Sequence, residues 1–421
     1  MKKCIWQVTL LFLTACNNMQ TASTQQTGAD STAKGTFGYD LAFLRSHDDS
    51  LVVLSNADEA SQVLVSPKYQ AKVFTSTADG DSSKSFGWIN YKAFTAPTDA
   101  HMNAYGGENR FWLGPEGGPF SLFFAQGKQM VFDHWKTPAP LDTEPWKVLE
   151  QQANSVHLQK QMKLVNYAGT ELDLTADRQI SILTKENIAR DLGVVLDEEI
   201  QAVGYLAANG ITNRGDFEWT EKTGMPCIWM LDMFNPSPET TILIPYQQTA
   251  AGAASKVATT DYFGPIPPER VRWSDGMLHF KADGRSRGKL GLAPGRARPV
   301  AGSWDEANGV LTLTRFDVDP AGRYLNQEWK TTRPPFSGDA VNAYNDGPLA
   351  DGSQMGPFYE IESVSPAAFL KPGATLTHNH SVFHFTGNRT KLEEIAKKVL
   401  GVSLTPPALS GTSQHPHSPR R

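Results

Sequence analysis

Short apolar runs cut by turn-forming residues constrain this chain more than any other feature. Val271-Arg272-Trp273 and Met277-Leu278-His279-Phe280 flank Ser274-Asp275-Gly276. Ala301-Gly302-Ser303-Trp304 reaches Val310-Leu311-Thr312-Leu313 through Asn308-Gly309. Asp-Gly and Asn-Gly supply the positive φ of tight turns, so both pairs are predicted hairpins. Residues 51–54, 62–65 and 71–75 read as successive strands, and 121–124 with 129–132 as a pair around Gln126-Gly127-Lys128. Residues 155–165 and 170–183 flank Asn166-Tyr167-Ala168-Gly169, and Leu172, Leu174, Ile180 and Ile182 alternate as in a half-buried strand. Thr184–Leu192 is helical by composition, whereas Val203, Tyr205 and Ala207 alternate and favour a strand over 198–208. One helix is convincing, Thr390–Leu400: Thr390 and Glu393 form a capping box, Leu392, Ile395, Ala396 and Val399 share a face, and Gly401 ends it. The expected fold is all-β, a large two-sheet sandwich with one C-terminal helix. A content of 35 Gly, 27 Pro and 10% aromatic residues favours the same turn-rich β structure.

The N-terminus carries a different signal. Lys2 and Lys3 precede an apolar run from Ile5 to Leu13, too short to span a bilayer, and Leu13-Thr14-Ala15-Cys16 follows. This resembles the bacterial lipoprotein signal, which implies lipidation of Cys16; Asn17 after it implies the outer membrane. Residues 1–16 are the expected signal, 17–34 a flexible tether, 35–401 one β domain and 402–421 a disordered tail containing His415 and His417. Cys4 would leave with the signal, so Cys227, in an apolar context, has no disulfide partner within one mature chain and is expected to be a buried, inert thiol. A net charge of −5 gives no footprint for nucleic acid.

Candidate chemistry gathers in separate stretches. GGENRFWLGPEGGPFSLFF, residues 106–124, sets Glu108, Arg110 and Glu116 among Phe111, Trp112, Phe120, Phe123 and Phe124. Charges in such surroundings are paired or functional. The segment is either a structural salt bridge at the mouth of a β core or one wall of a polar ligand pocket. Glu360 and Glu362, two apart on a predicted strand, share a face and would raise each other's pKa for proton transfer. His378, His380 and His384 also share parity, which suits a transition metal or a general acid. Asn342, Asn345 and Asp346 at a turn could grip sugar hydroxyls, with His134 and Arg178 as weaker candidates. Lys281–Arg298, Gly-rich and basic, reads as a solvated loop, with contact to an anionic sugar as the lesser reading.

Several of these segments resemble aldose epimerase (galactose mutarotase-like) proteins. The likeness starts at Ser66-Pro67 through Thr77 and Ser85-Phe86-Gly87-Trp88-Ile89-Asn90. It continues with the Asn109-Arg110 pair and Asn209–Asn213, and ends with Glu360-Ile361-Glu362 and Leu370-Lys371-Pro372-Gly373-Ala374-Thr375-Leu376-Thr377-His378. Ala374 stands where that family usually has Glu. Over roughly residues 50–387 the chain is most similar to a lipoprotein-rich bacterial branch of the superfamily. The resemblance implies a β supersandwich whose concave face binds carbohydrate. There a Glu, here Glu360 or Glu362, takes the anomeric proton while a His protonates the ring oxygen. The usual His motif is missing between residues 140 and 230, where His157 stands alone, so His134, His378 or His380 would substitute. Sugar contacts would come from Glu108, Asn109, Arg110, Trp112, Glu116, His134, Asn345 and Asp346. The expected molecule is a monomeric carbohydrate-active or carbohydrate-binding envelope lipoprotein, with epimerase-like or lyase-like proton transfer and no cofactor. One alternative is a non-catalytic sugar-binding module of a glycan-utilisation system. Another is a metal-dependent enzyme, because His378, His380 and His384 after Gly373 resemble the first cupin metal motif.

Overall fold

The computed structural model describes residues 33–57, 60–248, 256–274 and 276–404. The expected signal with Cys16, all but residues 33 and 34 of the tether, Asp275, and the tail beyond Leu404 lie outside the described residues.

Helix α1 (Phe37–Arg45) opens the domain, capped where Thr36 accepts from Tyr39 N, and β1 (Val52–Ser55), β2 (Gln62–Ser66) and β3 (Lys72–Thr77) follow. Next come β4 (Arg110–Gly114), the one-turn α2 (Ala139–Asp142), β5 (Lys147–Gln151), β6 (Ser155–Val165) and β7 (Glu171–Ile182). Helix α3 (Lys185–Leu192) precedes β8 (Ile200–Asn213), β9 (Cys227–Phe234) and β10 (Thr240–Pro245). The hairpin pairs β11 (Val271–Ser274) with β12 (Met277–Lys281) and β14 (Val300–Asp305) with β15 (Val310–Phe316) enclose β13 (Gly288–Leu292). The chain ends through β16 (Val341–Asn345), β17 (Tyr359–Val364), β18 (Thr375–Gly387) and α4 (Arg389–Val399).

These strands form a ten-stranded sheet, β11-β12-β10-β14-β15-β18-β8-β7-β6-β5, a five-stranded sheet, β13-β16-β17-β9-β4, and the small sheet β1-β2-β3. The all-β two-sheet architecture and its C-terminal helix are as expected; α1, α2 and α3 add to the helical content. Register sorts the faces of the five-stranded sheet. Arg110, Leu231, Glu362, Asn342 and Gly291 lie in one row across it, and Met233, Glu360, Tyr344 and Lys289 in the next matching row. Opposed residues of antiparallel strands share a face, so these two rows do. The residues of opposite parity, including Asp232, Ile361 and Ser363, turn to the other side. That side meets the larger sheet: Ser363 Oγ lies 2.8 Å from both His378 Nε2 and His380 Nδ1 of β18. The core between the sheets holds Ile361, Ala343, Leu290, Val203, Tyr205 and Val382, all fully buried. Burying each large aliphatic side chain contributes about 1.5–3 kcal/mol.

Three local expectations change. Residues 121–124 and 129–132 do not pair; Phe123 N bonds Ser121 Oγ at 3.0 Å, Ser121 Oγ donates to the Glu116 carbonyl, and Phe123 stacks on Trp135. The local side-chain bonds give this backbone an alternative to a ladder. Helix α4 is capped by Asn388, which accepts from Thr390 N at 2.9 Å, while Glu393 accepts from Leu404 N at 2.7 Å and ties down the following chain. Asn caps at least as well as Thr, and it stands where the chain is still extended. The basic segment 281–298 contains a wholly buried strand, β13. A Cβ at Gly291 would come within 2.2 Å of Asp339 Oδ2 and 2.5 Å of Asn342 Oδ1, so the missing side chain is what admits β13 beside β16.

Candidate functional site

The cavity face of the five-stranded sheet carries buried charge. Arg110 Nη2 donates to Glu360 Oε1 at 2.6 Å. Lys289 Nζ and Trp229 Nε1 both donate to Glu362 Oε2, at 2.9 and 2.8 Å. The cations also rest on rings: Arg110 Cζ is 5.0 Å from the Trp112 centroid and Lys289 Nζ 4.7 Å from that of Trp229. Two polar atoms here, Glu362 Oε1 and Arg110 Nε, are buried without a partner. Such atoms cost free energy unless something bonds them.

Over this face lies a cavity of about 580 Å³. Lys289 and Tyr344 rise into it from the sheet, and Glu116, Tyr262, Phe263 and Trp329 come from loops. Burial raises the Glu360 carboxyl to about 7; Arg110 opposes that rise and Glu362 adds to it. Burial likewise raises Glu116 against the pull of Lys289. Burial tends to lower Lys289, but Glu362 and Glu116 outweigh it and hold the ammonium above its ordinary range. At the margin Tyr262 Oη donates to Asp339 Oδ2 at 2.6 Å, and Asp339 is pushed up to about 6, chiefly by burial. Carboxylates placed among cations and kept from water are the groups that exchange protons near neutral pH.

A wider cavity, about 980 Å³, opens beside Phe86, Tyr359 and His384 at the other side of β17. Its carboxylates are engaged: Asp40 accepts from Ser85 and Tyr91, Asp283 from Arg270, and Asp305 from Ser237 and Asn308. Charge with unmet bonds lies under the smaller cavity, and the candidate site is placed there.

The sequence candidates divide accordingly. Arg110, Trp112, Glu360 and Glu362 share the cavity face, and Glu116 and Asp346 line the cavity. Glu108 and Asn109 do not join them. Gly106 and Gly107, both at positive φ, lead into β4, and alternation puts Asn109 on the face opposite Arg110. There Asn109 Nδ2 donates to Asp232 Oδ1 at 2.6 Å and Arg178 donates to Asn109 Oδ1, while Glu108 accepts from Ser76 Oγ at 2.8 Å. His378, His380 and His384 are also on that inner side. His380 Nε2 lies 2.6 Å from Asp232 Oδ2; His384 lies between Glu108 Oε1 at 3.1 Å and Thr312 Oγ1 at 2.9 Å. Burial, with His380 beside it, lowers His378 to about 3. The histidines are therefore separated from Glu360 and Glu362 by the sheet itself and cannot be their proton partners. Nor do they form a metal triad: no group of three or more His, Cys, Asp or Glu among the described residues is arranged to hold an ion.

Asn345 is consumed structurally, accepting from Gly284 N and donating to Ser286 O, both at 2.9 Å. His134 stays on the surface, its Nδ1 2.8 Å from Gln129 O. Cys227 is buried as expected. Sequence reasoning missed Lys289, Trp229, Tyr262 and Trp329. Lys289 alone had a local signal, since Lys289 and Gly291 alternate with Leu290 and Leu292 as in a strand.

Residues 35–406 match the model of a family of unknown function, DUF6786. No curated protein sequence matches the chain. Among solved structures, the chain is similar to a candidate aldose 1-epimerase from Escherichia coli K12, at 12% identity and a TM-score of 0.45, over 79% of this chain and 98% of that one. It is similar to a galactose mutarotase-like protein from Lactobacillus casei ATCC 334, at 10% identity and 0.45, over 79% and 99%. A galactose mutarotase related enzyme from Lactobacillus acidophilus gives 12% and 0.39, over 80% and 97%.

Proposed function

We propose, for a chain that belongs to the DUF6786 family, that the cavity over the five-stranded sheet binds a saccharide and that its carboxylates move protons on it. One observation carries this reading. Glu362 Oε1 and Arg110 Nε, an acceptor and a donor, are buried without partners on the face below an aromatic-walled cavity. Sugar hydroxyls both donate and accept, the two bonds that these atoms lack. Tyr262, Phe263, Trp329 and Tyr344 offer ring faces to the apolar side of a pyranose.

The chemistry is an aldose-type ring opening. Glu360 takes the anomeric hydroxyl proton, the bond from the anomeric carbon to the ring oxygen breaks, and Glu116 delivers a proton to that oxygen. Rotation of the freed carbonyl and reversal of these transfers give the other anomer. The environments of the two carboxyls suit opposite roles, since Arg110 clasps Glu360 while Glu116 lies on a loop at the cavity wall. The salt bridge on Glu360 favours a second reading, a sugar-binding protein without turnover. An envelope location through a lipid on Cys16 is part of the same proposal.

The test is anomer interconversion of a panel of aldoses, followed by NMR, with Glu360→Gln and Glu116→Gln. Each variant should slow it by roughly 10²–10⁴-fold while sugar binding persists. Wild-type rates no faster than buffer, with binding intact, would select the binding protein. Absence of any saccharide binding would overturn both readings.

A further inference from the structure

Large exposed apolar side chains are unevenly spread over this molecule, and they concentrate where the cavity opens. Phe132 is 59% exposed, Leu349 46%, Met355 44% and Phe263 40%, and all four line the same cavity. They come from three separate loops, so no local sequence run explains the cluster. Exposed apolar groups gathered at one place mark a surface that something covers. Phe263 is moreover held in position, with the Arg287 guanidinium 3.9 Å from its centroid and the Tyr344 ring 6.0 Å away, edge-on. The same lining also holds Glu116, Lys289 and Asp346, and the exposed Arg287 and Lys330.

We infer that the ligand is the end of a saccharide chain at least two residues long, whose terminal ring enters the cavity and whose second ring lies on the rim formed by Phe132, Phe263, Leu349 and Met355. This rests on the saccharide reading of the cavity. A volume of about 580 Å³ exceeds a single pyranose ring and lies within the range of drug-sized ligand sites. A lone monosaccharide at the polar floor would leave the rim in water. A second ring would cover it with its C–H face, and stacking of that kind needs aromatic area rather than charge. The floor reads hydroxyls and the rim reads length.

The experiment is calorimetric titration of the full mature chain with glucose, galactose, mannose and xylose and with their β-1,4-linked oligomers of two to four residues. In at least one series the dimer should bind tenfold or more tighter than the monomer, with little further gain beyond it. In Phe132→Ala and Phe263→Ala that dimer-to-monomer ratio should fall toward one. Both side chains are surface groups, so folding is checked by melting temperature and not assumed. Monomer and dimer binding with equal affinity, or an unchanged ratio in both rim variants, overturns the inference and leaves the saccharide reading standing. An octyl glycoside that binds tighter than the disaccharide overturns it in favour of a lipid-bearing ligand. Self-association abolished by Phe132→Ala overturns it in favour of a second copy. If no saccharide binds, the functional reading itself has failed.

Discussion

The two faces of the five-stranded sheet bury similar chemistry in different surroundings. On the inner face Asp232 is met by Asn109 and His380, and Glu108 by Ser76 and His384. On the cavity face Glu360 is met by Arg110, and Glu362 by Lys289 and Trp229. Both faces hold atoms without a partner. Those of the inner face, among them Arg178 Nε and His378 Nδ1, are packed between two sheets. There burial first, and then the charge of Glu108, drives the Tyr205 hydroxyl well above its ordinary range. Those of the cavity face share it with Lys289 and Tyr344, which line a space that a ligand can enter. The contrast shows that a buried ionic network is not by itself a site: it becomes one where the packing stops.

That contrast is most severely tested by Asp232→Ala, which removes the carboxyl that Asn109 and His380 meet between the sheets. Stability should fall by about 3–5 kcal/mol, read as a shift of the urea midpoint, because the groups left behind stay buried. A loss below 1 kcal/mol would show that the inner network is not structural. On the other face, Trp229→Phe keeps an aromatic, though smaller, ring and removes one donor to Glu362. A loss of about 1–3 kcal/mol is expected, part of it recovered when a saccharide is added. Equal recovery in Asp232→Ala would erase the distinction between the faces.

The pH dependence sharpens it further. Glu360 is raised from its ordinary 4.5 to about 7, so between these values the folded protein holds a proton that the unfolded chain has released. Stability therefore falls as pH rises through that window, and Glu360→Gln should flatten the slope. Denaturation curves taken at intervals across it give the answer; an unchanged slope would assign the dependence elsewhere. As a base, Glu360 must be ionised, so any anomer interconversion should rise with pH through about 7. The smallest expected effect is remote from both faces. Asn388→Ala should cost about 1 kcal/mol by uncapping α4, whereas Thr390→Ala, if Asn388 is the cap, should cost less.

Much of the strand order was legible because alternation and turn chemistry are local. Leu172 to Ile182, the Asp-Gly and Asn-Gly turns, and the helix ending at Gly401 all carry their own signatures within a few residues. Glu360 and Glu362 were correctly placed on one face for the same reason. What alternation cannot say is which face looks at which neighbour. His378, His380 and His384 had the same regular spacing as the glutamates, yet β18 belongs to the other sheet and turns them inward. Asn109 and Arg110 are adjacent, and that adjacency, read as a shared role, placed them on opposite sides.

The sequence alone therefore determined that the chain builds antiparallel β structure, where strands such as β6 and β7 begin and end, and that Glu360 and Glu362 stand together. Tertiary structure decided that Lys289 from a basic segment neutralises Glu362, that Tyr262 and Trp329 wall the cavity, and that the histidines are walled off from it. The reason is physical. A strand's own residues set its two faces, but the partner sheet and the loops above it are supplied by chain far away in sequence, and only their packing makes one face core and the other a site.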